Sequence, residues 1–284
     1  MLCKVSGKGK QISSFNLVHG YSRDGFLVIL LGLLMLLIVL IGRNQGIRTM
    51  FSLILAGAVI YFIMMPLITK GKNPVLATTL TCAIIASSSL LIIVGPKRKT
   101  YSAILGTISG VIIASIIVIY AQERLHFSGL ENAIAVDIIE ATGEQLFDFK
   151  KLLLAGMLMG VLGVAMDGAI EVASSMEEIR RANPRIETAK LIGAGMTVGT
   201  DVLGTMVNTL LFAYFGLRLL LMLTVMSPDT ELFVSPLGEL LSVGVISAEI
   251  VRLLAGTIGV VITIPITALI SGFLQTKRRS NARY

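Results

Sequence analysis

Asp167 and Glu171 stand four residues apart in an apolar stretch, with Ser174 and Ser175 about one turn further on. On a helix that spacing puts them on one face. Two carboxylates so placed repel, and the repulsion grows as the dielectric falls. One of them then holds a proton, or a cation lies between them, or that end of the stretch is wet. The next apolar stretch sets Thr197, Asp201, Thr205, Asn208 and Thr209 along one face, a stripe of oxygen donors and acceptors among Met, Val and Leu. Asp201 falls near its middle, where a short side chain cannot stretch to water. The last stretch opens with Glu249 and Arg252, three residues apart, a pair able to neutralise itself on entering hydrocarbon.

An ionised side chain in hydrocarbon costs several kcal/mol, so intramembrane acids are read as functional or tightly paired. Asp167, Glu171, Asp201 and Glu249 are set against a single guanidinium, Arg252. A purely structural network tends towards balance, because an unpaired buried charge is costly. The surplus of acids favours protonation or a bound cation. Carboxylates and hydroxyls are hard oxygen ligands, suited to protons, alkali ions or divalent ions of the magnesium and manganese type. The sequence does not name the metal. Cys3 and Cys82 are scattered, and His19 and His126 lie in polar connections, so zinc and copper chemistry is disfavoured. No Gly-rich phosphate loop or Ser/His/Asp set is found. The expectation is a protein that is not an enzyme, needs no cofactor and does not pump with ATP by itself.

The elements that must position these groups follow from composition. The chain has 284 residues, 55% hydrophobic and only 14% charged, with mean hydropathy +0.87. Soluble domains carry about 25% charged residues, so this is a chain for the lipid bilayer. Its net charge of +7 sits in short connections and the tail, which is an orientation signal and not a nucleic-acid surface. Apolar runs at 26–42, 49–69, 75–95, 101–121, 152–174, 191–214 and 250–274 predict an all-α polytopic transmembrane bundle of about seven spans.

The chain divides into a leader (1–25), a four-span framework (26–121), an extracellular amphipathic connection (122–151), a core carrying the polar groups (152–274) and a basic tail (275–284). Positive-inside bias puts 175–190 and the tail in the cytoplasm, and with seven spans the N-terminus outside. As one helix, 190–226 would be about 55 Å long against a hydrocarbon core of about 30 Å. Gly193, Gly195, Gly199 and Gly204 crowd its first half. It is therefore either a broken or re-entrant helix, or a span followed by a short interfacial helix. The small-residue pairs Gly156/Gly160, Gly195/Gly199 and Gly256/Gly259, with Gly204, are expected to let helices approach closely and bring the polar faces together. Pro265 should kink the last helix, with Thr263 or Thr267 satisfying the freed backbone.

Three blocks carry a family resemblance. The first runs from Met166-Asp167-Gly168-Ala169 through Ala173-Ser174-Ser175 to Glu178-Ile179. The second is Gly195 to Thr209, followed by Ala213-Tyr214-Phe215-Gly216. The third is Ala248-Glu249-Ile250-Val251-Arg252, Gly256-Thr257-Ile258-Gly259 and Pro265-Ile266-Thr267. Together they resemble the YibE/F-like family of bacterial integral membrane proteins. The resemblance implies a multi-pass plasma-membrane protein of permease-like build. It also implies compact members, like this chain, that form a complex with a longer member.

The functional expectation is secondary transport or channel-like passage of a cation, or of a proton-coupled small solute. Asp201 is then the central binding residue, Thr197, Thr205 and Asn208 neutral ligands, Asp167, Glu171 and Ser174 the cytoplasmic mouth, and Glu249 with Arg252 a gate. The rivals are a non-transporting subunit that scaffolds or regulates a partner complex, and an intramembrane aspartyl protease using Asp167 and Asp201. Against the protease, Gly199-Thr200-Asp201 lacks the second glycine of a Gly-x-Gly-Asp pattern, and Ile264-Pro265-Ile266 stands where Pro-Ala-Leu is needed.

Overall fold

Long apolar runs become helices because a backbone in hydrocarbon must satisfy its own N–H and C=O groups. The computed structural model describes residues 24–129, 148–219, 223 and 244–276, and every element among them is helical. The leader, most of the 122–151 connection and nearly all of the basic tail lie outside the described residues. In chain order the elements are α1 (Asp24–Val59), a π-helical turn (Ile60–Met64), α2 (Met65–Thr69), α3 (Pro74–Val94), α4 (Arg98–Leu125), α5 (Phe149–Ala182), α6 (Thr188–Leu217) and α7 (Gly244–Thr276). Among the described residues six segments are long and apolar enough to cross a membrane, one fewer than the runs in the sequence suggest. The difference lies in the first segment, Gly25–Thr69, which absorbs the runs 26–42 and 49–69 without a loop between them.

The chain divides into two units, one up to Met50 and one from Phe51 onward. In the first, α1 is interrupted at Arg43, whose φ of 47° and ψ of −126° are not helical. Gly46 there lies against the Ile38 carbonyl, where a straight helix would hold them about 12 Å apart. The basic connection read from the sequence thus survives as a sharp bend inside one helical segment.

In the second unit two helices start on a side-chain cap. Asn73 caps α3 by accepting from the Val75 N–H at 3.1 Å, with Pro74 filling the first helical position. Asp148 caps α5 by accepting from the Lys151 N–H at 3.2 Å. His126 closes α4 in the left-handed conformation, with φ 52°. α7 packs against α4, α5 and α6, and a central cluster joins Ala114 and Val118 of α4, Leu158 and Val161 of α5, Met206 and Leu210 of α6 and Val260 of α7. The α4–α7 contact is the tightest. A Cβ on Gly106 would strike Thr267, one on Gly110 would strike Thr263, and Gly259 sits against Ala114 and the Gly110 carbonyl. Glycine at those positions lets the two backbones touch.

Two sequence expectations change here. α6 is one continuous helix of 30 residues from Thr188 to Leu217, so the glycine-rich first half of 190–226 is not broken, and the chain leaves helical geometry only at Arg218. Its glycines serve packing instead: Gly195 lies against Met176 and Gly199 against Ile264 and Val172. In α7, Pro265 leaves the Val261 carbonyl without its helical donor, but the nearby hydroxyls do not replace it. Thr263 donates to the Gly259 carbonyl at 2.8 Å, and the buried Thr267 hydroxyl has no partner.

Candidate functional site

α5 and α6 run antiparallel, and their contacts fix the depth of each acid. Gly168 meets Met206, Val172 meets Gly199, and Met176 meets Gly195. That register sets Asp201 level with Glu171, and Asp167 level with Thr205. The acids thus lie within about one helical turn of the same depth. Asp167, Glu171, Thr197, Asp201, Thr205 and Asn208 are all exposed, while Ser174 is half-buried. Glu171 is the charged neighbour of Asp167. Asp201 lies about 200° around α6 from Gly199, on the side away from α5. Among the described residues no group of His, Cys, Asp and Glu is arranged to hold a metal ion.

The reason is visible in α6 itself. It is the least apolar of the six segments and the least buried in the second unit. Its packing face is Leu191, Gly195, Gly199, Met206 and Leu210. Its opposite face carries Thr197, Thr200, Asp201, Thr205, Asn208 and Thr209, whose threonine hydroxyls bond back to backbone carbonyls three or four residues earlier. Beside Asp201, Gly204 faces open space, as do Gly193 on α6 and Gly156 and Gly163 on α5. Among the described residues, Gly156 and Gly204 therefore make no helix contact. Gly160 lies against the Tyr214 hydroxyl, and Gly256 against Val161.

Cavities lie elsewhere. One of about 280 Å³ between α3 and α4 is lined by apolar groups with Thr79, Cys82 and Thr107. A second, about 260 Å³, sits where α3 and α5 begin, beside Lys72, Asn73, Asp148 and Lys151. Lys151 Nζ lies 2.7 Å from Asp148. Burial alone would raise the Asp148 pKa, but the hydrogen bonds from the Lys151 side chain and backbone and the charges of Lys151 and Lys150 outweigh it and hold the carboxyl below its usual value.

The two ends of the bundle differ in charge. At one end Lys99 reaches Glu177 at 2.8 Å, Arg98 donates to the Leu274 carbonyl at 2.6 Å, Gln275 donates to the Ala173 carbonyl at 3.2 Å, and Thr188 meets Thr276 at 3.0 Å. These bonds tie the start of α4, the end of α5, the start of α6 and the end of α7 together. At the other end Glu249 takes Arg252 at 3.0 Å on both carboxylate oxygens, and also Arg218 at 2.7 Å. The sequence reading paired Glu249 with Arg252 alone and missed Arg218. No spacing along the chain signals that pairing, because Arg218 and Glu249 meet only through the packing of the end of α6 on the start of α7. With Arg218 included, four acids stand against two guanidiniums, and both guanidiniums sit on Glu249.

A family model described as YibE/F-like protein matches residues 30–277. The chain belongs to the YibE/F-like family. The match covers most of the chain, from the first apolar run to the end of α7, so this YibE/F-like protein is membrane-embedded through its long apolar helices. No curated protein and no solved structure matches it.

Proposed function

We propose that this YibE/F-like chain is a permease-like membrane protein that passes a cation or a proton-coupled small solute along the polar face of α6, completed by a second copy of the chain. The observation that carries this is Asp201, an exposed carboxylate near the middle of a membrane-length helix and flanked by Thr197, Thr205 and Asn208. Against lipid tails that face costs several kcal/mol, so a wall of protein or water must cover it. Gly193 and Gly204 leave room there for another helix to come close. Arg218 and Arg252 are both engaged by Glu249, so neither is free to neutralise Asp201. Two copies facing each other would bring acid to acid, and acids so placed share a proton or take up a cation. Asp167 and Glu171, at the same depth, would form the adjoining polar rim.

Orientation follows from the ends. Lys97, Arg98, Lys99, Arg180, Arg181, Arg185 and Lys190 gather where α7 finishes. Positive-inside bias makes that end, and the C-terminus, cytoplasmic in a bacterial plasma membrane.

A second reading, a non-transporting subunit that scaffolds a partner such as a longer family member, is favoured by the same exposure of the acids. The paired-aspartate protease gains no support, because Asp201 turns away from the helix that carries Asp167. Uptake by proteoliposomes across monovalent and divalent ions, with wild type and Asp201→Asn compared, tests the proposal. Flux in wild type that Asp201→Asn abolishes while assembly persists supports transport. Equal flux in both removes Asp201 from the mechanism, and no flux with loss of assembly favours the scaffold.

A further inference from the structure

Among the described residues, the Glu249 cluster sets two guanidiniums against one carboxylate. Arg218 lies 2.7 Å and Arg252 3.0 Å from Glu249, so two guanidiniums share one carboxylate. The side chains of Arg252 and Glu249 are only 16% and 15% exposed. A net positive charge at that burial is costly without a counter-charge.

Two donors beside it are also unused. The Nε of Arg252 and the hydroxyl of Tyr214 are both buried and have no hydrogen-bond partner. They lie close together. The Tyr214 hydroxyl is 4.0 Å from where a Cβ on Gly256 would be, and Gly256 stands one turn along α7 from Arg252. Gly160 of α5 closes the other side, where a Cβ would meet the same hydroxyl. Leaving such donors unmade costs free energy, and a bound acceptor recovers it.

We propose that Tyr214, Arg218 and Arg252 form a binding site for a small monovalent anion, a halide or a carboxylate group, at the outer end of α6 and α7. A single surplus positive charge matches a monovalent ion. A guanidinium N–H is satisfied only by an acceptor, the phenol O–H can donate to the same one, and an anion accepts most strongly in a low dielectric. Tyr214 sits between α5 and α7, which admits a compact ion in preference to a lipid headgroup. The site is separate from Asp201 and stands or falls without the transport proposal.

The test uses the full chain in phosphatidylcholine nanodiscs, with chloride and acetate as probes and gluconate as the bulky control. Thermal unfolding should rise saturably with chloride or acetate and not with gluconate. Tyr214→Phe, which keeps the ring and removes one donor, should weaken the apparent affinity about fivefold. Arg252→Lys, which removes Nε, should weaken it at least as much. The same melting temperature in gluconate for wild type and Tyr214→Phe shows an intact fold. Should Tyr214→Phe fail to fold, calorimetric titration of wild type with chloride against gluconate decides. Absence of saturable binding, wild-type affinity in folded Tyr214→Phe, or stabilisation only in discs containing phosphatidylglycerol would each overturn the proposal, the last by assigning the site to lipid phosphate.

Discussion

Arg218 holds a guanidinium nitrogen 2.7 Å from Glu249, tying the end of α6 to the start of α7 beside the local Glu249–Arg252 pair. Glu249→Gln leaves two guanidiniums without their carboxylate, and should destabilise the protein by about 3 kcal/mol. Arg218→Gln removes a partner that is a third exposed, and should cost only about 1 kcal/mol. Unfolding by sodium dodecyl sulfate in mixed micelles measures both. Equal stability of Glu249→Gln and wild type would show that this triad contributes nothing to the fold.

Gly259→Val should cost about 2 kcal/mol or more, because a Cβ there already lies 3.1 Å from both the Ala114 Cβ and the Gly110 carbonyl. Gly57→Ala, at a helical position with nothing within 4 Å, should be neutral or stabilising by up to about 1 kcal/mol. The same unfolding assay ranks the pair, and a reversed order would refute the close α4–α7 contact.

Asp148 gives a pH dependence with a definite sign. Its folded pKa is held below the unfolded value of about 3.9, so its stabilisation is present above that pH and is lost as pH falls through the lower folded value. Asp148→Ala should therefore lie about 1 kcal/mol below wild type at pH 7, with the gap closing at strongly acidic pH. A gap that widens on acidification would mean that the cap does not depend on the charged carboxylate.

A second copy across the α6 face can be trapped chemically. In a background lacking Cys3 and Cys82, Gly204→Cys should cross-link to a dimer with a short bis-maleimide in native membranes. Ile116→Cys, exposed on the apolar flank of α4, should not. Dimer at both positions, or at neither, counts against a specific α6 seam.

The helices, their approximate ends and their polar residues were legible in the sequence because they depend on local quantities. Run length against bilayer thickness and period along a helix are both read from residues close together in the chain. The pairing of Glu249 with Arg252 was local in the same way. The direction in which Asp201 faces was not, since it is set by which side of α6 finds Met176, Val172 and Ile264 to pack against. Those partners come from α5 and α7, and the glycines that admit them look, along the chain, the same as glycines that would break a helix. Arg218 stayed hidden for a related reason: its partner is reached through the packing of α6 on α7, which no spacing along the chain records. The sequence by itself determined a helical membrane protein with too many acids in its later spans. Only the tertiary structure decided that Asp167, Glu171 and Asp201 lie on exposed helix faces while Glu249 is held between two arginines, because a helix buries the side on which its neighbours fit.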